Sequence, residues 1–178
     1  MPIRTGLLQL KDKWDHKDVE AVAGRFQLLE QNINDLENNP HAHAYADNIS
    51  QLITIASSGV PVDLIGMTSD HSSGFIFAGT KEFTCLVPGH YMIVYSIAFD
   101  AASNNQHIES AIAKNDVWQS TATMHQITAT ANDTLGMSGN LLLELLLNDI
   151  VKLQIQNLSS GADITLRHVN WTIVRVHF

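Results

Sequence analysis

The sequence predicts a mainly β protein, an antiparallel sandwich over residues 49–178 carried behind a short amphipathic helix. Three observations lead there. The chain of 178 residues is 45% hydrophobic and only 16% charged, so it can bury a real core. Between Val19 and Leu36 apolar residues recur at helical spacing. From Ile49 onward that period gives way to short apolar runs punctuated by Gly, Pro, Asn, Asp and Ser.

The helical segment comes first. Val19, Val22, Phe26, Leu29, Ile33 and Leu36 are spaced by alternating threes and fours, the period of a coiled-coil seam, while Glu20, Arg25, Gln27, Glu30 and Gln31 lie off it. Asp15 or Asp18 caps the start, Asn38 and Asn39 end the pattern, and Pro40 drives the residue before it out of helical geometry. The expectation is a stalk over residues 15–39 that associates with copies of itself. A single helix packed on its own chain fits the same spacing.

Residues 1–14 carry Ile3, Leu7, Leu8 and Leu10 and are expected to act as an anchoring segment. They lack the apolar stretch of a signal peptide, and the expectation is a protein made in the cytoplasm, without a membrane span. Residues 40–48 read as a polar linker; His41 and His43 within it are two metal-ligand types at close spacing, with no third ligand placed near them.

In the head, Tyr91 to Phe99 alternates. Tyr91, Ile93, Tyr95, Ile97 and Phe99 share one face, and Met92, Val94, Ser96 and Ala98 share the other. A strand apolar on both sides is expected to have its second face covered by another subunit. Leu141 to Leu147, the turn signal Asn148-Asp149 and the alternating Val151, Leu153 and Ile155 predict a hairpin. The run from Thr165 to Phe178 puts Leu166, Val174, Val176 and Phe178 on one parity and Val169, Trp171 and Ile173 on the other, which predicts a central strand.

The stretch Phe83-Thr-Cys-Leu-Val-Pro-Gly-His-Tyr91, followed by Tyr95, resembles the opening strand of the complement globular head, a member of the tumour-necrosis-factor-like jelly rolls. Gly139 to Leu153 is similar to that family's next hairpin, with Asn148-Asp149 where the family usually has Gly-Asp. Val169 to Val174 falls where the last strand lies, without the usual Phe-Ser-Gly start. The resemblance implies a ten-strand jelly roll, a homotrimer packed through apolar and aromatic faces, and binding in place of catalysis. Tyr91, Ile93, Tyr95, Ile97, Phe99, Trp171 and Ile173 are the residues expected in its core and trimer contacts.

No chemistry motif competes with that reading. Gly136-Met-Ser-Gly139 has its second glycine one residue too early for a nucleophile elbow. His71, Asp100, His107, Asp116 and His125 do not order themselves into a triad, and no phosphate-binding loop is present. Asp100, Asp116 and Asp133 are loop aspartates of the kind that bind calcium but more often simply turn the chain. Cys85, the only cysteine, reads as a small buried hydrophobe. No catalytic residue, cofactor or metal is therefore expected. A formal charge of -8 disfavours nucleic acid.

A heptad stalk with a trimeric jelly-roll head and an apolar N-terminal anchor predicts a virion part, assembled in the host cytoplasm: a bacteriophage capsid decoration, cement or head-fibre protein. Its partners would be itself and the major capsid protein or another virion protein. The alternatives are a tail-fibre or tail-needle knob that binds a host receptor or surface glycan, and a lectin or adhesion module of the complement-head type.

Overall fold

The computed structural model describes residue 20, residues 22–30 and residues 39–176. The chain divides into two units, with the boundary between Asn39 and Pro40.

In the first unit, residues 22–30 are helical, as the apolar period predicts. Val22 is half-buried, while Phe26 and Leu29 are 53% and 55% exposed. The anchor residues Ile3, Leu7, Leu8 and Leu10 and the seam residues Val19, Ile33 and Leu36 lie outside the described residues.

The second unit is a sandwich of two antiparallel sheets. The first sheet runs in the order β11 (Thr134–Leu145), β7 (Gly89–Ala101), β13 (Ile164–Val176), β1 (His41–Ala46) and β4 (Thr68–Ser73). The second runs β10 (Met124–Ile127), β8 (His107–Lys114), β12 (Ile150–Asn157), β6 (Glu82–Cys85) and β5 (Phe75–Ala78). Off these paths, β2 (Gln51–Ile53) pairs with β13, β3 (Val62–Asp63) with β12, and β9 (Val117–Trp118) with β8. The described residues thus form thirteen strands, in sheets of six and seven, where the resemblance implies ten.

Alternation builds the core. Tyr91, Ile93, Tyr95, Ile97 and Phe99 of β7 are almost fully buried, as are Trp171 and Ile173 of β13. Phe83 is the hub of the aromatic packing: its ring centroid lies 4.9 Å from those of Phe77 and Trp171 and 6.1 Å from that of Phe75. The tilted and edge-on arrangement suits the ring quadrupoles. Fully burying one such side chain stabilises the fold by roughly 1.5–3 kcal/mol, so this cluster is a main source of head stability.

Turn chemistry matches the hairpin reading. Asn148 sits at φ 68°, the left-handed region that asparagine tolerates. The Asp149 carboxylate accepts the Leu146 N–H at 2.7 Å and the Asn115 side-chain amide at 2.8 Å, and pairs with Lys114 at 2.8 Å.

Two expectations need correction. Residues 41–46, read as part of a linker, are strand β1, paired with β13 on one side and β4 on the other. The alternation that makes them a strand uses alanine: Ala42, Ala44 and Ala46 are buried, and alanine is too weakly apolar to announce a buried face. In β13 the parity expected for Leu166 changes, because the register with β7 shifts between Leu166 and His168. That bulge brings both Leu166 and Val169 into the core.

Candidate subunit interface

The residues expected to make core and trimer contacts, from Tyr91 to Phe99 with Trp171 and Ile173, fill the space between the two sheets of one chain. The opposite parity of the same strands faces outward from the sandwich. Met92 of β7 lies in register with Leu142 of β11 on one side and Val174 of β13 on the other. Val94 is the next residue of β7 on that face. Met92, Val94, Leu142 and Val174 are 38%, 48%, 46% and 38% exposed. An antiparallel sheet with a solvated face normally turns polar residues outward there, whereas here an apolar row runs across three adjacent strands.

The row lies at the end of the sandwich where the chain joins the head. Val174 pairs with His41, and the Arg175 N–H donates to the Pro40 carbonyl at 2.9 Å. Away from that end the face turns polar: Ser138, Ser96, Asn170 and Tyr45 form one cross-strand row. Farther across the sheet, His43 stacks on Tyr45 at 5.7 Å and bonds the Asp70 carboxylate through Nδ1 at 2.6 Å. That hydrogen bond holds the Asp70 carboxyl below the usual carboxylate range.

The outer face of the second sheet is different in kind. Lys152 lies among three carboxylates, 2.6 Å from Asp116, 3.5 Å from Asp63 and 3.6 Å from Glu82. Burial pushes the Asp63 carboxyl up, but hydrogen bonds from Gln154 and Lys81 and the Lys152 charge outweigh it and hold the group low. These are closed ion pairs that fasten β3, β6 and the β8–β9 turn to β12.

The sequence-nominated chemistry disperses. Ser138 lies in the middle of strand β11, in register with Ser96, and no turn presents it as a nucleophile. Asp100, expected in a loop, lies in strand β7, where it accepts from Thr134 at 2.7 Å and from Arg167 Nε at 2.6 Å, and Asp116 pairs with Lys152, so two of the three aspartates are already engaged by the protein. Cys85 is buried, and burial pushes its thiol pKa up, away from the reactive thiolate. No helix among the described residues is long and apolar enough to cross a membrane.

These features define an antiparallel jelly-roll sandwich whose distinctive surface is the outer face of one sheet. No family profile matches the chain, and no curated protein is recognisably similar in sequence. Solved structures are similar in fold. Eiger TNF from S. frugiperda superimposes with a TM-score of 0.57 at 15% identity, over 79% of this chain and 94% of that one. Murine APRIL gives 0.51 at 8% identity, over 76% and 99%. The globular domain of zebrafish complement 1qA gives 0.47 at 16% identity, over 78% and 98%. The fold is the tumour-necrosis-factor-like jelly roll, as the Phe83 to Tyr91 motif implies.

Proposed function

We propose that this protein is a non-enzymatic homotrimer, in which the heptad helix is a three-stranded stalk and the outer face of the first sheet is the contact between heads. The observation that carries the reading is the exposed apolar row of Leu142, Met92 and Val174 with Val94 beside it. The tumour-necrosis-factor-like fold supports it, since the family resemblance implies three-fold packing through apolar faces.

Magnitudes explain why a stalk and a closed ring belong together. Covering the exposed part of four such side chains is worth roughly 2.5–5 kcal/mol per chain at the usual transfer values. Each association costs an estimated 4–15 kcal/mol in lost freedom, so one contact on this row would be marginal. A closed trimer makes three such contacts while immobilising only two chains. A coiled-coil stalk joining the head at Pro40, beside the row, raises the effective concentration of the heads further.

On this reading the protein is a virion part, a bacteriophage capsid decoration, cement or head-fibre protein, held to the shell by Ile3, Leu7, Leu8 and Leu10. Three weak anchors acting together supply the avidity. Mass spectrometry of purified particles from the source of the gene tests this finer step. The chain is expected among the structural proteins in multiples of three; its absence from the particles would overturn the virion role and leave the trimer standing.

A further inference from the structure

The outer face of the second sheet carries a group that neither the ion pairs nor the proposed interface uses. His107 and Glu109 lie two apart on β8 and so share a face, and His125 of β10 is in register with Glu109. His107 Nε2 is buried and has no hydrogen-bond partner, although its nearest ionic neighbour is Glu109 Oε1 at 3.8 Å. That gap is too long for a hydrogen bond. Two donors on one tetrahedral ion at about 2.0–2.2 Å lie about 3.3–3.6 Å apart, so a small closing of this gap would let both reach a metal ion.

The surroundings fit such a role. Gln156 Nε2 donates to Glu109 Oε2 at 2.8 Å, which fixes the carboxylate through one oxygen and leaves the other toward His107. Outer-shell support of this kind orients ligating carboxylates. The His125 ring stands 5.6 Å from that of His107 at 76°, close to the spread of two imidazoles on one ion. Among the described residues no three such side chains already surround one point. Here two donors are set by the sheet, and the exposed His125 has to turn about its side-chain bonds to supply the third.

We propose that His107, Glu109 and His125 bind a divalent ion of the zinc class, with solvent completing the coordination. Two imidazoles and one carboxylate suit zinc and disfavour calcium and magnesium, which prefer all-oxygen sites. The ion would clip β10, the four-residue strand at the edge of the second sheet, to β8.

Zinc chloride titrated into the full chain at neutral pH, followed by calorimetry and by thermal melting, tests this. The expected result is one ion per chain and a zinc-dependent rise in melting temperature that calcium does not reproduce, since a ligand bound only by the folded state stabilises it. His125→Ala and Glu109→Gln abolish both, and Gln156→Ala weakens binding by about 10–100-fold. Circular dichroism without zinc establishes that each variant is folded, and His125, being exposed, is the safest replacement. No binding by the intact chain, or zinc binding that survives both His125→Ala and Glu109→Gln, as it would if His41, His43 and His71 on the other sheet held the ion, would overturn the proposal.

Discussion

Gly139 and Tyr95 are register partners on β11 and β7, and a Cβ built on the glycine would lie 2.7 Å from the tyrosine ring. The ring has little room to yield. Its hydroxyl is held between the carbonyls of Ser110 and Ala122, at 3.1 Å from each, and so ties the first sheet to the second. Gly139 is thus a packing requirement, although it sits in a stretch that superficially resembles a catalytic serine motif.

Gly139→Ala is expected to destabilise the head by about 1–3 kcal/mol through overpacking. Gly136→Ala serves as the control, since its added methyl would meet only the Ile97 carbonyl, at 3.7 Å. Urea unfolding of both variants checks this, with a shift of midpoint at unchanged slope for Gly139→Ala.

Acid should unfold the head through its paired aspartates. Burial raises the Asp100 and Asp149 carboxyls, but hydrogen bonds from Thr134 and Arg167 in the first case, and from Lys114, the Leu146 N–H and Asn115 in the second, hold both below the ordinary value. A carboxyl depressed in the folded state contributes stability that is present above its unfolded pKa, about 3.9, and is lost as pH falls through the folded value. Stability measured against pH should therefore decline below about pH 4, and Asp100→Asn should flatten part of the decline.

At the alkaline end the sign reverses. Burial pushes the Tyr91 phenol up to about 12, and burial likewise raises Tyr95. A raised phenol contributes stability that is present below the unfolded pKa of about 10 and is lost as pH rises through the folded value. Absorbance titration of the native protein should show these tyrosines ionising late and together with unfolding. Full tyrosine ionisation near pH 10 in a folded chain would contradict their placement.

Cys85 should be inert. Its sulfur lies in the core and donates to the Val87 carbonyl at 3.1 Å. A thiol reagent should label it only at the rate of unfolding, and immediately in denaturant.

How much of this was legible in the sequence depended on how loudly each residue speaks. The parity of β7 was readable because Tyr91, Ile93, Tyr95, Ile97 and Phe99 are large, and the turn before β12 because Asn148-Asp149 has few other uses. Strand β1 was hidden because its buried face is only Ala42, Ala44 and Ala46. The bulge that turns Leu166 inward leaves no mark on composition, since a register shift is a property of the pairing and not of either strand. The interface row was partly visible as the second apolar face of β7, but Leu142 and Val174 join it only through cross-strand register. His107, Glu109 and His125 were likewise unreadable as a group, because β8 and β10 bring them together across an intervening strand and loop.

On the proposed reading, copies of this chain meet on the Leu142, Met92, Val174 and Val94 face. Sedimentation analysis of the full 19.6 kDa chain, beside a Met92→Glu, Val94→Glu double variant, tests it most directly. Three times the chain mass is expected for the natural sequence, and a smaller species with an unchanged circular dichroism spectrum for the variant, because buried charge on that face has no partner. A natural chain that sediments as a monomer, or a variant that remains fully trimeric, would contradict it.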